Sequence, residues 1–235
     1  MADKAEKASR PLVVIPAYNE AATIQAIVRK TRALDFPVLV VDDGSADLTG
    51  RLALEAGAEL LRNPVNQGKG AAIRCAVERA LLEGNDPVIF IDADGQHRPE
   101  DLPAFMEHFR RTGADLIIGT RMGNPRGMPL IRLAANTVSS IMISILAGTR
   151  VTDSQSGYRL VSRRLLEALK PTKTGGFELE SEMIIDSVRG GFTYAEIPIE
   201  CIYGNERSHY RPFRDSTGFL RLALRKGAQL LLKKK

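Results

Sequence analysis

The sequence predicts an α/β domain with a mostly parallel sheet covered by helices on both faces. Short runs of Val, Ile and Leu alternate with helical patterns through the first half, the order that a parallel sheet requires. The runs are continuously apolar, as strands buried on both faces must be. Three of the early runs also end in polar clusters, at the edge where ligands of such sheets bind.

Residues 12–15 read as the first strand and 20–33 as the first helix, with apolar residues at three- and four-residue spacing. A strand at 38–41 follows, then a helix at 47–56 that starts at Asp47 and stops at Gly57. Next come a strand at 58–61, a helix at 69–82 ended by Gly84, and a strand at 88–91. Pro99 opens a helix over 99–111 that Gly113 stops, and 116–118 is the fifth strand. The second half is less regular. It predicts helices at 130–146 and 178–189, a strand at 192–199 and an amphipathic helix at 217–232. No repeat or second domain is visible. The expected division is a flexible start at 1–10, one domain at 11–215 and a basic C-terminal helix at 216–235.

At 235 residues, 44% apolar and 26% charged, the chain has the composition of a globular domain. The net charge of +5 is concentrated late: Arg207, Arg211, Arg214, Arg221, Arg225, Lys226 and three final lysines face only Glu206 and Asp215. Such an end favours anionic partners. Cys75 and Cys201 are too few for a disulfide framework or zinc site and read as buried thiols. The start lacks the apolar core of a secretion signal. The run 130–148 is interrupted by Arg132, Asn136 and hydroxyl residues and falls short of the ~20 apolar residues of a spanning helix. The expected location is cytoplasmic, peripheral on the cytoplasmic face of a membrane.

The chemistry sits in the strand-end clusters: Pro16-Ala17-Tyr18-Asn19-Glu20, Asp42-Asp43-Gly44-Ser45 and Asp92-Ala93-Asp94-Gly95-Gln96. Singly, each reads equally as a turn or a helix cap. Together they gather carboxylates at one end of one sheet, where a cation or donor groups must offset repulsion. Asp92 and Asp94 flank one alanine, so both carboxylates can address the same hard ion, Mg²⁺ or Mn²⁺, with Gln96 as a further oxygen. His97 reads as solvated.

In this order, with Gly119-Thr120-Arg121 and Asp153-Ser154-Gln155-Ser156-Gly157-Tyr158-Arg159, the motifs resemble the inverting family-2 glycosyltransferases of GT-A fold. Within them the chain is similar to the dolichyl-phosphate mannosyltransferases and bacterial polyprenyl-phosphate relatives, from about Pro11 to about Asp215. The resemblance implies a nucleotide-diphosphate sugar donor and a polyprenyl phosphate acceptor. Pro16, Tyr18 and Glu20 would line the nucleotide pocket, with Val41 and Asp43 beside base and ribose. Asp92, Ala93 and Asp94 would meet metal and diphosphate, and Arg121 phosphate or sugar. Arg207 and His209 stand near where the mannosyltransferase group places basic residues, but the pattern departs there, with Cys201 and Ile202 before Tyr203.

Asp94, Arg121 and Asp153 are the expected catalytic groups. A phosphate acceptor is already anionic near pH 7 and needs no base. A hydroxyl acceptor would need one, with Asp153 or Glu180 as candidates. The apolar stretch 130–148 fits a membrane surface, the core or a homodimer contact. The basic tail fits an anionic membrane surface or docking on its own domain. A nucleotidyltransferase or dinucleotide enzyme would carry a Gly-rich first loop, which is absent. Nucleic acid is not an expected partner, because the clustered acids repel a polyanion. An inactive scaffold of the same fold is the non-enzymatic alternative.

Overall fold

The computed structural model describes residues 10–125, 127–169, 178–200, 202, 222 and 224–226. Its elements are β1 (Leu12–Ala17), α1 (Ile24–Ala33), β2 (Val38–Asp42), α2 (Thr49–Glu55), β3 (Glu59–Arg62), α3 (Lys69–Glu83) and β4 (Val88–Phe90), then a 3-10 turn at Pro99–Asp101. There follow α4 (Leu102–Thr112), β5 (Leu116–Thr120), α5 (Leu130–Ala147), β6 (Arg159–Val161), α6 (Arg163–Ala168), α7 (Glu178–Arg189) and β7 (Tyr194–Pro198). The strands form one sheet in the order β3-β2-β1-β4-β6-β5-β7. Every pair is parallel except those of β6, which runs antiparallel between β4 and β5.

The two-residue period of the strands divides the core. Leu12, Val14, Leu39, Val41 and Phe90 point to one layer, beneath α3, α5, α6 and α7. Val13, Ile15, Val38, Val40 and Ile89 point to the other, beneath α1 and α4. Ala72, Ala76 and Ala80 keep the inner face of α3 small, so that helix lies close against β1 and β2.

The differences from expectation have local causes. α1 begins at Ile24, not 20, because the backbone N–H groups of Asn19, Glu20 and Ala21 donate to Ser45, Thr49 and Asp47 instead of entering a helix. Asp47 stands two residues before α2 and accepts from the Thr49 N–H at 2.9 Å. β3 is shifted to Glu59–Arg62, an edge strand with exposed ends. β6 has no counterpart among the expected strands, since three residues after a loop are too few to show a period. Cys75 is a half-buried free thiol, while Cys201 lies outside the described residues.

Of the expected terminal helix, residues 222 and 224–226 are described, and all are helical. Leu222 is buried. Lys226 Nζ lies 2.6 Å from Asp186 Oδ1 and 2.9 Å from Glu182 Oε1, and Arg225 lies 2.9 Å from the same Glu182 oxygen. These two cations, which fit either an anionic membrane or docking on the domain, pair with acids of α7, as docking requires.

Asp115 ties the far side of the sheet together. Its carboxylate accepts from Arg164 at 3.0 and 2.7 Å, from Ser162 Oγ at 2.8 Å, and from the Thr193 N–H and hydroxyl at 2.9 Å each. It thereby joins the start of β5 to α6 and the approach to β7. Burial opposes its ionisation, but Arg164 and the other donors outweigh that and hold its pKa well below the usual carboxylate range. Stability from such a group is present above its unfolded pKa of about 4 and is lost as pH falls toward the folded value. Asp115→Asn should cost about 2–4 kcal/mol in urea unfolding at neutral pH and less near pH 3. A loss below about 0.5 kcal/mol at neutral pH would show that the hub is dispensable.

Candidate active site

The loops after β1 and β2 are laced together. Asn19 adopts the left-handed region (φ 57°), its N–H donates to Ser45 Oγ at 2.9 Å, and its Oδ1 accepts from the Ala46 N–H at 2.9 Å. Asn19 and Ser45 therefore brace the two loops, and Asn19 does not cap α1. Asp43 is buried and accepts from Asn63 Nδ2 at 2.7 Å and from the Gly68 N–H at 2.6 Å, with the Gln67 N–H at 3.1 Å. It folds the segment 63–68 against the end of β2. Gly44 permits this approach: it has φ +74°, and a Cβ there would lie 2.7 Å from the Val65 carbonyl carbon. Pro16 and Val41 are paired residues of β1 and β2 just below these loops, and Tyr18 stands exposed above them.

Beyond β4 the carboxylates converge. Asp92 Oδ1 accepts from Lys69 Nζ at 2.6 Å, and the same ammonium lies 2.6 Å from Glu180 Oε1. Asp94 Oδ1 accepts from the Gln96 N–H at 2.9 Å. The Ala93 carbonyl accepts from Thr23 Oγ1 at 2.6 Å, which draws the loop onto α1 beside Glu20. Gly157 packs against Asp92 so closely that a Cβ would fall 2.2 Å from Oδ2. Any side chain there would push the Asp92 carboxylate aside.

Electrostatics follow from this crowding. Burial and then Asp94 push the Glu20 pKa up to about 7. Burial and then Asp92 raise that of Asp94. For Asp92 burial acts in the same direction, but the Lys69 ammonium overrides it and holds the group below the ordinary range. His97 is buried, not solvated as expected. Its Nδ1 accepts from the Asp92 N–H at 3.3 Å, its ring lies 5.2 Å from that of Tyr158, and burial lowers its pKa, so it is a neutral brace.

Arg121 lies at the end of β5. Its Nε and Nη2 donate to Asp153 at 2.7 Å each, and its backbone N–H donates at 3.0 Å. Asn136 of α5 donates to Asp153 Oδ1 at 3.0 Å. Burial works against the Asp153 charge, but Arg121 outweighs it and lowers the pKa. Asp153 is thus an ionised counter-ion that positions Arg121, ill suited to take a proton. Glu180, read as either a base or a solvated helix residue, is buried and paired with Lys69. Arg207 and His209 lie outside the described residues.

Sequence reasoning used Lys69 only as the start of a helix. A cation in the first turn opposes the helix dipole, and a lysine placed there signals acidic partners nearby. Asn136 also went unremarked as a functional residue, since it looked like a mere interruption of an apolar run.

Residues 12–170 match the family described as glycosyl transferase family 2. The chain belongs to that family. This glycosyltransferase is 30% identical over 213 residues to UDP-N-acetylglucosamine–dolichyl-phosphate N-acetylglucosaminyltransferase of Methanococcus voltae, with 81% of this chain and 85% of the relative covered. It is 32% identical over 203 residues to polyprenol monophosphomannose synthase of Mycolicibacterium smegmatis, with 81% and 76% covered. Among solved structures, glucosyl-3-phosphoglycerate synthase from Mycobacterium tuberculosis in complex with Mg²⁺ and uridine diphosphate superposes with a TM-score of 0.65 at 26% identity, with 93% of this chain and 78% of that chain covered. The glycosyltransferase shares their α/β GT-A architecture.

Among the described residues no three His, Cys, Asp or Glu side chains form a ready-made metal cage. The donor set still fits a hard cation. Mg²⁺ takes one or two carboxylates and completes its shell with phosphate oxygens and water, and the upward shifts of Glu20 and Asp94 mark a surplus of negative charge that a cation would relieve.

The Glu20 shift is testable. Its proton leaves near pH 4.5 in the unfolded chain and near 7 in the fold. The unfolded state therefore binds fewer protons between those values, and stability falls as pH rises through that window. Relative to the metal-free native protein, Glu20→Gln should have the same Tm near pH 4 and a higher one near pH 8, worth on the order of 1 kcal/mol once solvent screening is allowed for. Superimposable pH profiles would mean that Glu20 ionises freely.

Proposed function

We propose that this glycosyltransferase moves a sugar from a nucleoside diphosphate sugar to a polyprenyl phosphate, with Mg²⁺ or Mn²⁺ as cofactor, while seated on a membrane surface. The observation that carries the reading is the two-sidedness of α5. Its inner face buries Ile143, Leu146 and Ala147 in the core and is tied to the domain by polar groups: Asn136 reaches Asp153, Ser139 and Ser140 meet Ser154 Oγ at 2.9 and 3.2 Å, and Ser144 Oγ accepts from the Val151 N–H at 2.9 Å. Its outer face is apolar: Leu130, Ile131, Val138, Ile141 and Ile145 are each more than half exposed. Water is a poor solvent for such a face, and a lipid surface is a good one. Contrary to the expectation from its polar interruptions, α5 is long and apolar enough to cross a membrane, with 18 residues and a mean hydropathy of 1.7. Its hydrogen bonds to the domain along the inner side favour lying on the surface over spanning. The relatives named for dolichyl-phosphate and polyprenol products support the same acceptor.

In this reading Pro16, Tyr18, Glu20, Val41 and Asp43 shape the nucleotide pocket. Asp92 and Asp94 hold the cation, Ala93 and Gln96 border it, and Arg121 meets phosphate or sugar. The cation, when bound, neutralises charge on the departing diphosphate. The chain's own groups orient that diphosphate and exclude water, and Arg121 presents a fixed positive charge. A phosphate oxygen of the acceptor attacks the anomeric carbon as the bond to the diphosphate breaks. No protein base is required, which suits a site whose candidate bases are already ion-paired. A hydroxyl acceptor would require Asp153 to release Arg121, or the buried Glu180 to become accessible.

Asp94→Ala should abolish most turnover and remove the thermal stabilisation that Mn²⁺ gives with UDP or GDP, at unchanged fold by circular dichroism. Full activity in EDTA or in this variant would exclude the metal assignment. Ile131→Ser, Val138→Ser and Ile145→Ser combined should lower binding to anionic liposomes and transfer to polyprenyl phosphate by about tenfold or more, with nucleotide affinity retained. Undiminished transfer would remove the membrane from the reading.

A further inference from the structure

Glu180 is a buried acid that the proposed chemistry does not use. Its Oε1 lies 2.6 Å from Lys69 Nζ, its Oε2 meets no donor among the described residues, and its carbonyl accepts from Arg159 Nη1 at 3.0 Å. The Lys69 ammonium is bound at equal distance, 2.6 Å, by Asp92 Oδ1. The three side chains line one enclosed pocket with Gly157 and Arg159. One cation is thus divided between two acids, one on α7 and one at the end of β4.

Resting on the metal reading above, we propose that Glu180 is a positioning residue of the donor site, holding the Lys69 ammonium so that it engages one oxygen of Asp92 without cancelling that carboxylate. A lysine paired with Asp92 alone would compete with the donor's cation for the same oxygens. A lysine shared with Glu180 leaves the trio with a net negative charge and its place fixed from the far side. Glu180 lies on the first turn of α7, and Lys69 on the first turn of α3. Gly157 leaves room for the Asp92 carboxylate that meets Lys69.

The test is Mn²⁺ binding to the intact protein without nucleotide, read by electron paramagnetic resonance, alongside Tm. Glu180→Gln keeps the shape and removes the charge, and should weaken Mn²⁺ binding about tenfold. The pair Lys69→Met with Glu180→Gln replaces the Lys69–Glu180 ion pair by neutral groups of similar size and leaves Asp92 without its ammonium, so its fold is checked by circular dichroism before Mn²⁺ is added. That pair should bind Mn²⁺ at native strength or more tightly. Glu182→Gln changes net charge equally on the same helix, but its carboxylate meets Arg225 and Lys226 instead, and it should stay within about twofold of native. A Glu180→Gln variant with lower Tm but native Mn²⁺ affinity would reduce Glu180 to a structural ion pair and overturn the proposal. So would a double variant that binds tenfold more weakly than native, and this arm decides the matter if Glu180→Gln fails to fold. Asp94→Ala separates the two claims. If it retains native Mn²⁺ affinity, the metal reading itself fails. If it loses Mn²⁺ while Glu180→Gln does not, only the role of Glu180 falls.

Discussion

Glu20, Asp92 and Asp94 are brought to one edge of a parallel sheet, and their mutual repulsion in partly desolvated surroundings is the constraint around which the rest is arranged. A parallel sheet makes the convergence unavoidable, because every loop that follows a strand opens at the same edge. The protein compensates only part of the charge. Lys69 meets Asp92, and backbone donors meet Asp94 and Asp43, while Glu20 stays half-protonated near neutrality. What remains is a deficit of positive charge at the place where a diphosphate and its cation would arrive together.

The other side of the cleft obeys the opposite rule. There, among the described residues, Arg121 is matched by Asp153, and Glu196 accepts from the Thr152 N–H and hydroxyl at 2.7 and 2.6 Å. Asn136 extends that network into α5, so the helix with the apolar outer face also supports the arginine at the site. A shift of α5 on a surface would reach Arg121 through two hydrogen-bonded links. If α5 rests on a membrane as proposed, that contact and the placement of Arg121 would be joined through these hydrogen bonds.

Legibility of these features in the sequence tracked the range of the interactions behind them. Continuous apolar runs revealed the parallel strands, because burial on both faces leaves a local signature. Polar clusters after those runs pointed to the site edge for the same reason. β6 was invisible, since its three residues are a strand only by virtue of β4 and β5 on either side. His97 was misread because its burial depends on Tyr158, 61 positions away. The start of α1 was misplaced by donors on the next loop that the run 20–33 cannot reveal. The Lys69–Glu180 pair spans 111 positions, although a lysine at a helix start and a glutamate at another were each locally out of keeping with an apolar layer.

The division between an undercompensated and a matched side also bears on which nucleophile the site can use. A hydroxyl must lose a proton, and the group that takes it must have a free lone pair and a pKa near the working pH. Asp153 fails on both counts, with its oxygens engaged by Arg121 and Asn136 and its pKa lowered. Glu180 shares Lys69 and sits behind it, away from the open edge. Glu20 has a suitable pKa, but it lies among the carboxylates that a donor's cation would occupy, where a bound cation would lower that pKa and end its usefulness as a base. An acceptor that arrives already ionised avoids the difficulty. Its charge is attracted by the fixed positive end of Arg121 and repelled by the acids only until the cation is in place. Under the proposed metal-dependent reading, donor and cation before acceptor would be the order that this charge arrangement favours.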